Sequence, residues 1–243
     1  MEETELNQIL VTEKIYVTPK LKEKKKIYKI EFFLSIILIC LFSSYYIHAA
    51  YDRDKSEEVS QMILTEIKDD NIKEYCDNDP IIIILDDNLS NNKQKEEKLE
   101  KEIYIDNVIY PIESIIKIPK IGINYPVISK TSEELLKISV NKFHGPNPNE
   151  VGNYCIVGHN YLNDKMFSRL DELKNGDIVE LKDLSGKIIE YRVYDKYIVN
   201  PTDTSCTSQR TKDGKKLGFR EITLITCANY GTQRLIVKCR EVK

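Results

Sequence analysis

The stretch "EITLITCANYGTQRLIVKCREV", residues 221–242, decides the fold class of this 243-residue chain. Its two halves are short runs rich in β-branched residues, and the segment "ANYGT" between them is typical of a turn. The stretch therefore predicts two antiparallel strands joined by a hairpin. Alternation with a period of two puts Leu235, Val237 and Cys239 on one face of the second strand, so Cys239 is expected to be a small core residue.

Similar runs occur upstream, from about Val108, and are separated at close intervals by Gly, Pro and Asn. They are "SIIKIPKIGINYPVI", "NYCIVGH" and "GDIVELKDLSGKIIEYRVYDKYIV". This pattern of short β-branched runs is typical of an all-β barrel or sandwich. Ser185 and Gly186 lie between two of the runs and predict a tight hairpin in which the glycine takes a positive φ.

Two short helices are predicted to interrupt the strands. "TSEELLKI" begins with Thr131 and has Glu134 three residues later, which is a capping-box pattern. "DKMFSRLDEL" has four apolar residues at helical spacing, namely Met166, Phe167, Leu170 and Leu173.

An apolar segment, "FFLSIILICLFSSYYIHAA" (residues 32–50), lies near the N-terminus and has no Asp, Glu, Lys or Arg. Its length is about the ~20 residues needed to span a bilayer. A lysine-rich stretch precedes it, and acidic residues lead the segment after it, so the positive-inside rule predicts a cytoplasmic N-terminus. The alternative is a cleaved signal peptide, but the preceding 31 residues would be an unusually long n-region.

These features predict four segments. Residues 1–31 form a cytoplasmic Lys-rich tail, residues 32–50 a transmembrane signal-anchor, residues 51–105 a charged extracellular spacer and residues 106–243 the β-domain. Inside the spacer, the apolar cluster "IIIIL" at residues 81–85 is expected to be covered because an exposed cluster of this kind favours aggregation.

Composition excludes some classes of function. The formal net charge of -3 argues against a nucleic-acid partner, which would usually require a basic face. The six cysteines include no CxxC pair and no Cys/His cluster at zinc spacing. Asp203 and Asp213 alone do not make a calcium site. No metal and no cofactor are predicted.

One cysteine and one histidine stand out by their positions. Cys227 ends a strand beside a turn, a location where catalytic residues are often found. Of the three histidines, His48 lies in the apolar segment, His144 is expected in a loop just before "GPNPN", and His159 ends the strand "NYCIVGH". The reactive form of a cysteine is the thiolate, and a nearby imidazole that accepts the proton of the thiol raises the reactivity of the cysteine. Arg234, on the returning strand, has a guanidinium suited to an oxyanion.

These residues resemble a known family. "TLITC" (residues 223–227) followed by an arginine on the next strand, with "VGHN" (residues 157–160) upstream and an N-terminal anchor, looks like a sortase. The resemblance implies a closed eight-stranded β-barrel, preceded by the membrane helix, in which His159, Cys227 and Arg234 meet at one end.

The subclass has mixed indications. "GNYCIVGHNY" resembles class B sortases, whereas "MFSRLDELKNGDIVEL" looks more like class A or D. The connection from Val199 to Arg220 is also too compact for the helical insertion of class B. We expect a class D-like enzyme with class B features.

Sortases are cysteine transpeptidases of Gram-positive cell surfaces that cleave an LPxTG-type sorting signal between Thr and Gly. The resemblance implies that Cys227 attacks the Thr carbonyl. His159 would protonate the departing amine and then deprotonate the incoming nucleophile, while Arg234 would hold the substrate carbonyl and its developing negative charge. Thr226 and Asn160 are candidate substrate-binding residues, although Thr226 also fits an ordinary strand position. The implied partners are surface proteins with a C-terminal sorting signal and an amine of a peptidoglycan precursor or a pilin.

Two other functions remain open at this stage. A surface cysteine peptidase would use the same residues and release the acyl group to water. A non-enzymatic, membrane-tethered β-domain would use "TLITC" only as a core strand. An amine acceptor distinguishes the first alternative, and a thiol-reactive probe distinguishes the second.

Overall fold

Short strands dominate the structure, as the sequence predicts. A computed structural model of the chain describes residues 19–76, 100–161 and 163–242. The α-helices in these ranges are α1 (Pro19–Cys76) and α2 (Glu133–Ile138). The strands there are β1 (Lys101–Ile105), β2 (Val108–Ile118), β3 (Ile123–Ile128), β4 (Val140–His144), β5 (Gly152–Val157), β6 (Ile178–Asp183), β7 (Ile188–Val199), β8 (Arg220–Ala228) and β9 (Gln233–Glu241).

Eight of these strands close into a barrel, which confirms the predicted fold. Their order is β2-β3-β4-β5-β8-β9-β7-β6, and an antiparallel pairing of β6 with β2 completes the ring. β1 is attached outside the ring and pairs with β2. The pairs β3–β4 and β5–β8 are parallel, and the other pairs are antiparallel.

Alternate residues of each strand fill the barrel interior. On β9, Leu235, Val237 and Cys239 lie in the main core, as the period-two pattern predicts. Ile222 and Leu224 of β8 pack in the same core. Burial raises the pKa of the Cys239 thiol well above its usual range, so this cysteine is a packing residue and not a nucleophile.

A second apolar cluster lies on the outer face of the barrel. It contains Cys155 of β5, Ile225 of β8 and Ile236 of β9, together with Cys206 from the connection between β7 and β8. That connection, all of whose residues are described, contains a 3-10 turn at Ser205–Thr207 and an isolated bridge between Arg210 and Lys216, but no α-helix. It therefore lies over the outer face without a helical insertion.

The predicted helix "TSEELLKI" forms α2, but its N-cap is one residue later than predicted. Ser132 has an extended backbone, and its side chain accepts a hydrogen bond from the Leu135 amide at 3.2 Å. The Thr131 hydroxyl instead donates to the Lys142 carbonyl on β4. A tertiary partner thus takes Thr131 out of the cap.

The helix predicted for "DKMFSRLDEL" is wrong, because only a 3-10 turn at Leu170–Glu172 forms there. Its four apolar residues are nevertheless buried in the main core. The Met166 amide donates to the Tyr125 hydroxyl, and the Phe167 amide donates to the His159 carbonyl. Met166 also has a positive φ of 51°. These contacts and this conformation exclude a regular helix there.

The two predicted hairpin turns form, whereas His144 lies in a strand. Gly186 has a positive φ of 86° in the β6–β7 hairpin, as predicted. The β8–β9 hairpin turns through Asn229–Gly231, also as predicted. His144 was expected in a loop, but it is the last residue of β4, because the short run "VNKFH" pairs with both β3 and β5.

The structure divides into two compact units, one ending at Asp52 and the other beginning at Arg53. In the first unit, α1 is long and apolar enough to cross a membrane by length and composition, and its apolar window is wholly exposed. In the second unit, Val59, Ile63 and Ile67 of α1 pack against the outside of the barrel near Ile112 and Ile128. The cluster "IIIIL" at residues 81–85 lies outside the described residues.

Candidate active site

Cys227 and Arg234 lie opposite each other at one end of the barrel. The antiparallel register of β8 and β9 pairs Cys227 directly with Arg234, one pair away from the Asn229–Gly231 turn. Local hairpin geometry alone brings the two residues together, since directly opposed residues in such a ladder have Cβ atoms about 4.5–5.5 Å apart.

His159 joins this pair from the other neighbour of β8. The parallel register of β5 and β8 ends with Val157 opposite Ile225, and the Gly158 amide then donates to the Ile225 carbonyl at 3.1 Å. Further along, the Asn160 side-chain amide donates to the Cys227 carbonyl at 2.7 Å. The backbone of residues 158–160 thus continues beside β8, and His159 lies at the level of Cys227.

All three side chains belong to the outer face of the barrel. Ile225 and Ile236, each two residues from Cys227 or Arg234 along its strand, lie in the outer cluster. Gly158 provides the corresponding evidence for His159. A Cβ on Gly158 would lie 2.8 Å from atoms of both Phe167 and Val140, which are core residues, so position 158 faces inward and position 159 outward.

The same close approach explains why residue 158 is glycine. A left-handed backbone is not the reason, because the φ of Gly158 lies outside the left-handed region. The reason is packing: real Cβ atoms almost never approach other atoms within 3.0 Å, so any larger residue would push Phe167 or Val140 aside. A shift there would displace the neighbouring His159.

The environment of His159 favours the neutral imidazole. Partial burial is the main cause that lowers the pKa of His159 below its usual value, and the positive charge of Lys137 adds to the effect, while Glu133 opposes it. Both charged residues belong to α2. The imidazole also stacks on the Tyr161 ring, with centroids 4.9 Å apart and planes inclined at 33°.

Among the described residues, the hydrogen-bond partners of Arg234 are backbone carbonyls. One guanidinium nitrogen, Nη1, donates to the carbonyls of Gly231 and Gln233, each at 2.9 Å. Within residues 19–76, 100–161 and 163–242, no carboxylate forms an ion pair with it. Its positive charge and most of its donors are therefore available to a bound group near Cys227.

The two candidate substrate-binding residues have contrasting environments. Asn160 is exposed and bonded to the Cys227 carbonyl. Thr226 is buried, and its hydroxyl donates to the Gly158 carbonyl at 2.8 Å. Thr226 thus helps to align the His159 segment with β8, and a contact between either residue and substrate stays a prediction.

The other barrel cysteines are protected from chemistry. Cys155 and Cys206 are buried in the outer cluster, and burial raises the pKa of Cys155 to about 12 and also raises that of Cys206. Neither is in a disulfide. Among the described cysteines of the barrel, Cys227 is the one that is partly exposed.

The loop carboxylates considered for calcium lie on the connection between β7 and β8. Asp203 accepts hydrogen bonds from Ser205, and these lower the pKa of its carboxyl. Over the part of the chain that the structure describes, no group of three or more His, Cys, Asp or Glu side chains is arranged to hold a metal ion.

Sequence reasoning missed three residues around His159. Tyr161 stacks on the imidazole, and Lys137 and Glu133 act on it electrostatically. An aromatic residue two positions after the histidine was a local signal for Tyr161. No local signal existed for the α2 residues, since their approach to His159 depends on how α2 packs on the barrel.

Comparison with known proteins gives one family. A family model for the sortase domain matches residues 116–242, which is more than half of the chain. A search of curated proteins finds no match to this chain.

Several solved structures are similar. A Clostridium perfringens sortase D5 transpeptidase has 28% identity, with 54% of this chain and 79% of that chain covered and a TM-score of 0.48. Sortase A from Corynebacterium diphtheriae has 25% identity, coverage of 55% and 62%, and a TM-score of 0.48. Streptococcus pneumoniae sortase C has 27% identity, coverage of 53% and 65%, and a TM-score of 0.47.

Proposed function

The chain belongs to the sortase family of transpeptidases, and we propose that it cleaves an LPxTG-like sorting signal through a thioester on Cys227. The acyl group then passes to an amine of a peptidoglycan precursor or a pilin. One observation carries the proposal: β5, β8 and β9 are neighbours, and their registers align His159, Cys227 and Arg234 on one outer face.

The first half-reaction begins with Cys227. Its sulfur attacks the carbonyl carbon of the substrate Thr while the neutral His159 imidazole accepts the thiol proton. A C–S bond forms, and the carbonyl oxygen becomes an oxyanion. His159 then donates its proton to the Gly nitrogen, the C–N bond breaks, and the Gly peptide leaves as a free amine. The lowered pKa of His159 supports this assignment, because the imidazole is neutral at neutral pH and ready to accept a proton.

The second half-reaction reverses these roles. The acceptor amine attacks the thioester carbonyl and gives a proton to His159. A C–N bond forms, the C–S bond breaks, and His159 returns the proton to the Cys227 thiolate. The enzyme is then restored, and the Thr carboxyl is joined to the acceptor.

Arg234 is proposed to hold the oxyanion in both halves. Its partners are the carbonyls of the hairpin turn, so the guanidinium is held beside Cys227 while its charge stays uncompensated by a described carboxylate. A fixed donor of this kind near a developing negative charge accounts for about 10²–10³ in turnover in other enzymes.

We further propose that residues 32–50 anchor the enzyme in the membrane, with residues 1–31 in the cytoplasm and the catalytic domain, residues 106–243, outside. The exposed apolar window of α1 and the lysines before it support this topology. The connection between β7 and β8, which is described in full, contains no α-helix, and this supports a class D-like enzyme over class B.

The test is an assay of the full chain in detergent with a small library of LPxTG-like peptides. We expect cleavage between Thr and Gly, an acyl-enzyme whose added mass maps to Cys227, and an amide product when diaminopimelate or oligoglycine is supplied. Cleavage with water as the sole acceptor, whatever amine is supplied, would instead identify a surface cysteine peptidase. No cleavage of any peptide, together with no selective alkylation of Cys227, would contradict the proposal.

A further inference from the structure

Three hydrogen bonds connect α1 to the backbone of the His159 segment. The Tyr125 hydroxyl donates to Glu57 Oε2 at 2.6 Å and accepts from the Met166 amide at 3.1 Å. The next amide, that of Phe167, donates to the His159 carbonyl at 3.0 Å. All of these residues belong to the unit that begins at Arg53.

The segment on the far side of this connection has a demanding conformation. Met166 and Asp164 both have positive φ values, 51° and 59°, and neither is a glycine. Each such residue costs about 1–2 kcal/mol, so surrounding contacts must hold it in place. Met166 also forms an isolated antiparallel bridge with Asn160, the residue bonded to the Cys227 carbonyl.

Tyr125 is well placed to supply such a contact. It is buried in the main core on β3, and its hydroxyl has one donor and one acceptor partner. Burial and the hydrogen bond to Glu57 raise the pKa of Tyr125 well above its usual value, so the hydroxyl keeps its proton and its lone pairs stay directed at Met166.

Glu57 is in turn fixed along α1. Its Oε1 accepts a hydrogen bond from Gln61 at 2.9 Å, one helical turn later, and Val59 and Ile63 anchor this part of α1 to the barrel. A second contact, between Lys165 and Asp54 at 2.8 Å, is largely exposed on the Asp54 side and contributes little.

We infer that Tyr125 is a positioning residue for His159 and that Glu57 on α1 holds the Tyr125 hydroxyl in place. The segment of α1 around Glu57 is then part of the support of the active site, although it lies far from Cys227 in sequence. The inference rests on the proposed catalytic function of His159, because it assigns Tyr125 a task in that same site.

The first test measures peptide turnover by the full chain in detergent. Tyr125→Phe keeps the ring but loses both hydrogen bonds, so we expect kcat to fall about 10- to 100-fold with KM nearly unchanged. Glu57→Ala should lower kcat in the same way, and the double variant should lose little more than Tyr125→Phe alone. Glu57→Gln keeps an acceptor oxygen and should restore most of the activity.

Two matched controls separate positioning from loss of stability. Glu58→Ala changes an exposed carboxylate beside Glu57, and Tyr110→Phe removes the hydroxyl of another buried tyrosine, which packs against α1. Both should keep wild-type kcat. If Tyr125→Phe and Glu57→Ala keep kcat within twofold of these controls, the inference is overturned while the catalytic function stands.

Amide hydrogen exchange tests the same contact without any substrate. In Tyr125→Phe we expect the amides of Met166 and Phe167 to exchange at least tenfold faster, with the distant Val193 amide unchanged. Unchanged exchange at Met166 would overturn the inference by itself. A wild-type enzyme that cleaves no peptide would contradict the proposed function, and the exchange rates would still decide whether Tyr125 holds this segment.

Discussion

The two ends of the β8–β9 pair each contain an arginine of β9 on the outer face, in opposite situations. At the far end, Arg240 stacks between the rings of Tyr194 and Phe219, with its Cζ atom 4.6 and 4.1 Å from their centroids. It also lies 3.4 Å from Glu221, its partner across the strands. At the turn end, Arg234 lies opposite Cys227, and its hydrogen-bond partners in the described part of the chain are the carbonyls of Gly231 and Gln233.

The difference shows that the charge of Arg240 has a structural role, whereas the charge of Arg234 is available to a bound group. Glu221 is buried and satisfied by Lys238 at 2.6 Å and by the Tyr194 hydroxyl at 2.7 Å, so the charges at the far end compensate one another. The turn end has the Cys227 thiol, the His159 imidazole, whose pKa is lowered, and the Arg234 guanidinium, which forms no ion pair with a described carboxylate. A network of paired charges stabilises the fold, whereas an unpaired charge beside a nucleophile can stabilise an oxyanion.

The largest expected contrast is between two cysteines. Cys227→Ala should abolish peptide cleavage without changing the melting temperature, because its side chain is partly exposed. Cys239→Ala, near the far end, should keep activity but lower the free energy of unfolding by about 1–2 kcal/mol, because it leaves a cavity in the core. Peptide assays and thermal melts check both. Appreciable turnover by Cys227→Ala would exclude this residue as the nucleophile.

The histidines give the next contrast. His159→Ala should reduce kcat/KM by about 10²–10⁴-fold, since it removes the general acid and base. His144, which is exposed and pairs with Cys155 on β5 rather than with the His159 segment, should tolerate replacement by Ala with little change. The measurement is kcat/KM at neutral pH. Equal losses in both variants would leave the catalytic base unassigned.

The arginines test the comparison directly. Arg234→Lys keeps the charge but loses the planar fork, so kcat/KM should fall about 10²-fold with the fold intact. Arg240→Lys should keep activity and lower stability by about 0.5–1 kcal/mol through the weakened stacking on Tyr194 and Phe219. Kinetics and circular dichroism on both variants decide the matter. A greater loss of activity in the Arg240 variant would disprove the oxyanion role of Arg234.

Two asparagines should show the same contrast between activity and stability, with smaller effects. Asn160→Ala removes the hydrogen bond to the Cys227 carbonyl and should lower kcat/KM by up to about tenfold, with little change in stability. Asn149 is buried and bonded to Leu181, Asp183 and Lys187, so Asn149→Ala should lower stability by about 1–3 kcal/mol and keep activity. Urea unfolding and peptide assays, run in parallel, measure both effects. The reverse pattern would contradict the division between the two ends.

The smallest effect concerns pH. The folded state lowers the pKa of His159, so it binds protons less readily than the unfolded chain. Because the unfolded chain takes up the proton first, acid stabilises the unfolded state. The stability due to neutral His159 is therefore fully present above the ordinary histidine pKa of about 6.5 and is lost as pH falls through the lower pKa of the folded state. Between pH 7.5 and 5, the melting temperature of wild type should fall about 1–2 °C more than that of His159→Gln. An equal fall in both proteins would show that His159 is not desolvated.

Much of the β8–β9 end was predictable because its geometry is local. Alternation with a period of two and a short turn between β-branched runs are enough to oppose Cys227 and Arg234 and to bury Cys239. The lysines and the apolar run near the N-terminus likewise predict a membrane helix from composition alone. These features depend on neighbours within a few residues, which the sequence displays directly.

Only the tertiary structure decided the rest. The parallel pairing of β5 with β8, which brings His159 to Cys227, joins segments about 70 residues apart and is set by closure of the whole barrel. Gly158 is required by core atoms of distant residues, and the helix expected around Met166 is lost because its amide bonds to Tyr125. Helical periodicity correctly indicated which side chains are buried there, but long-range hydrogen bonds and close packing determined the backbone that buries them.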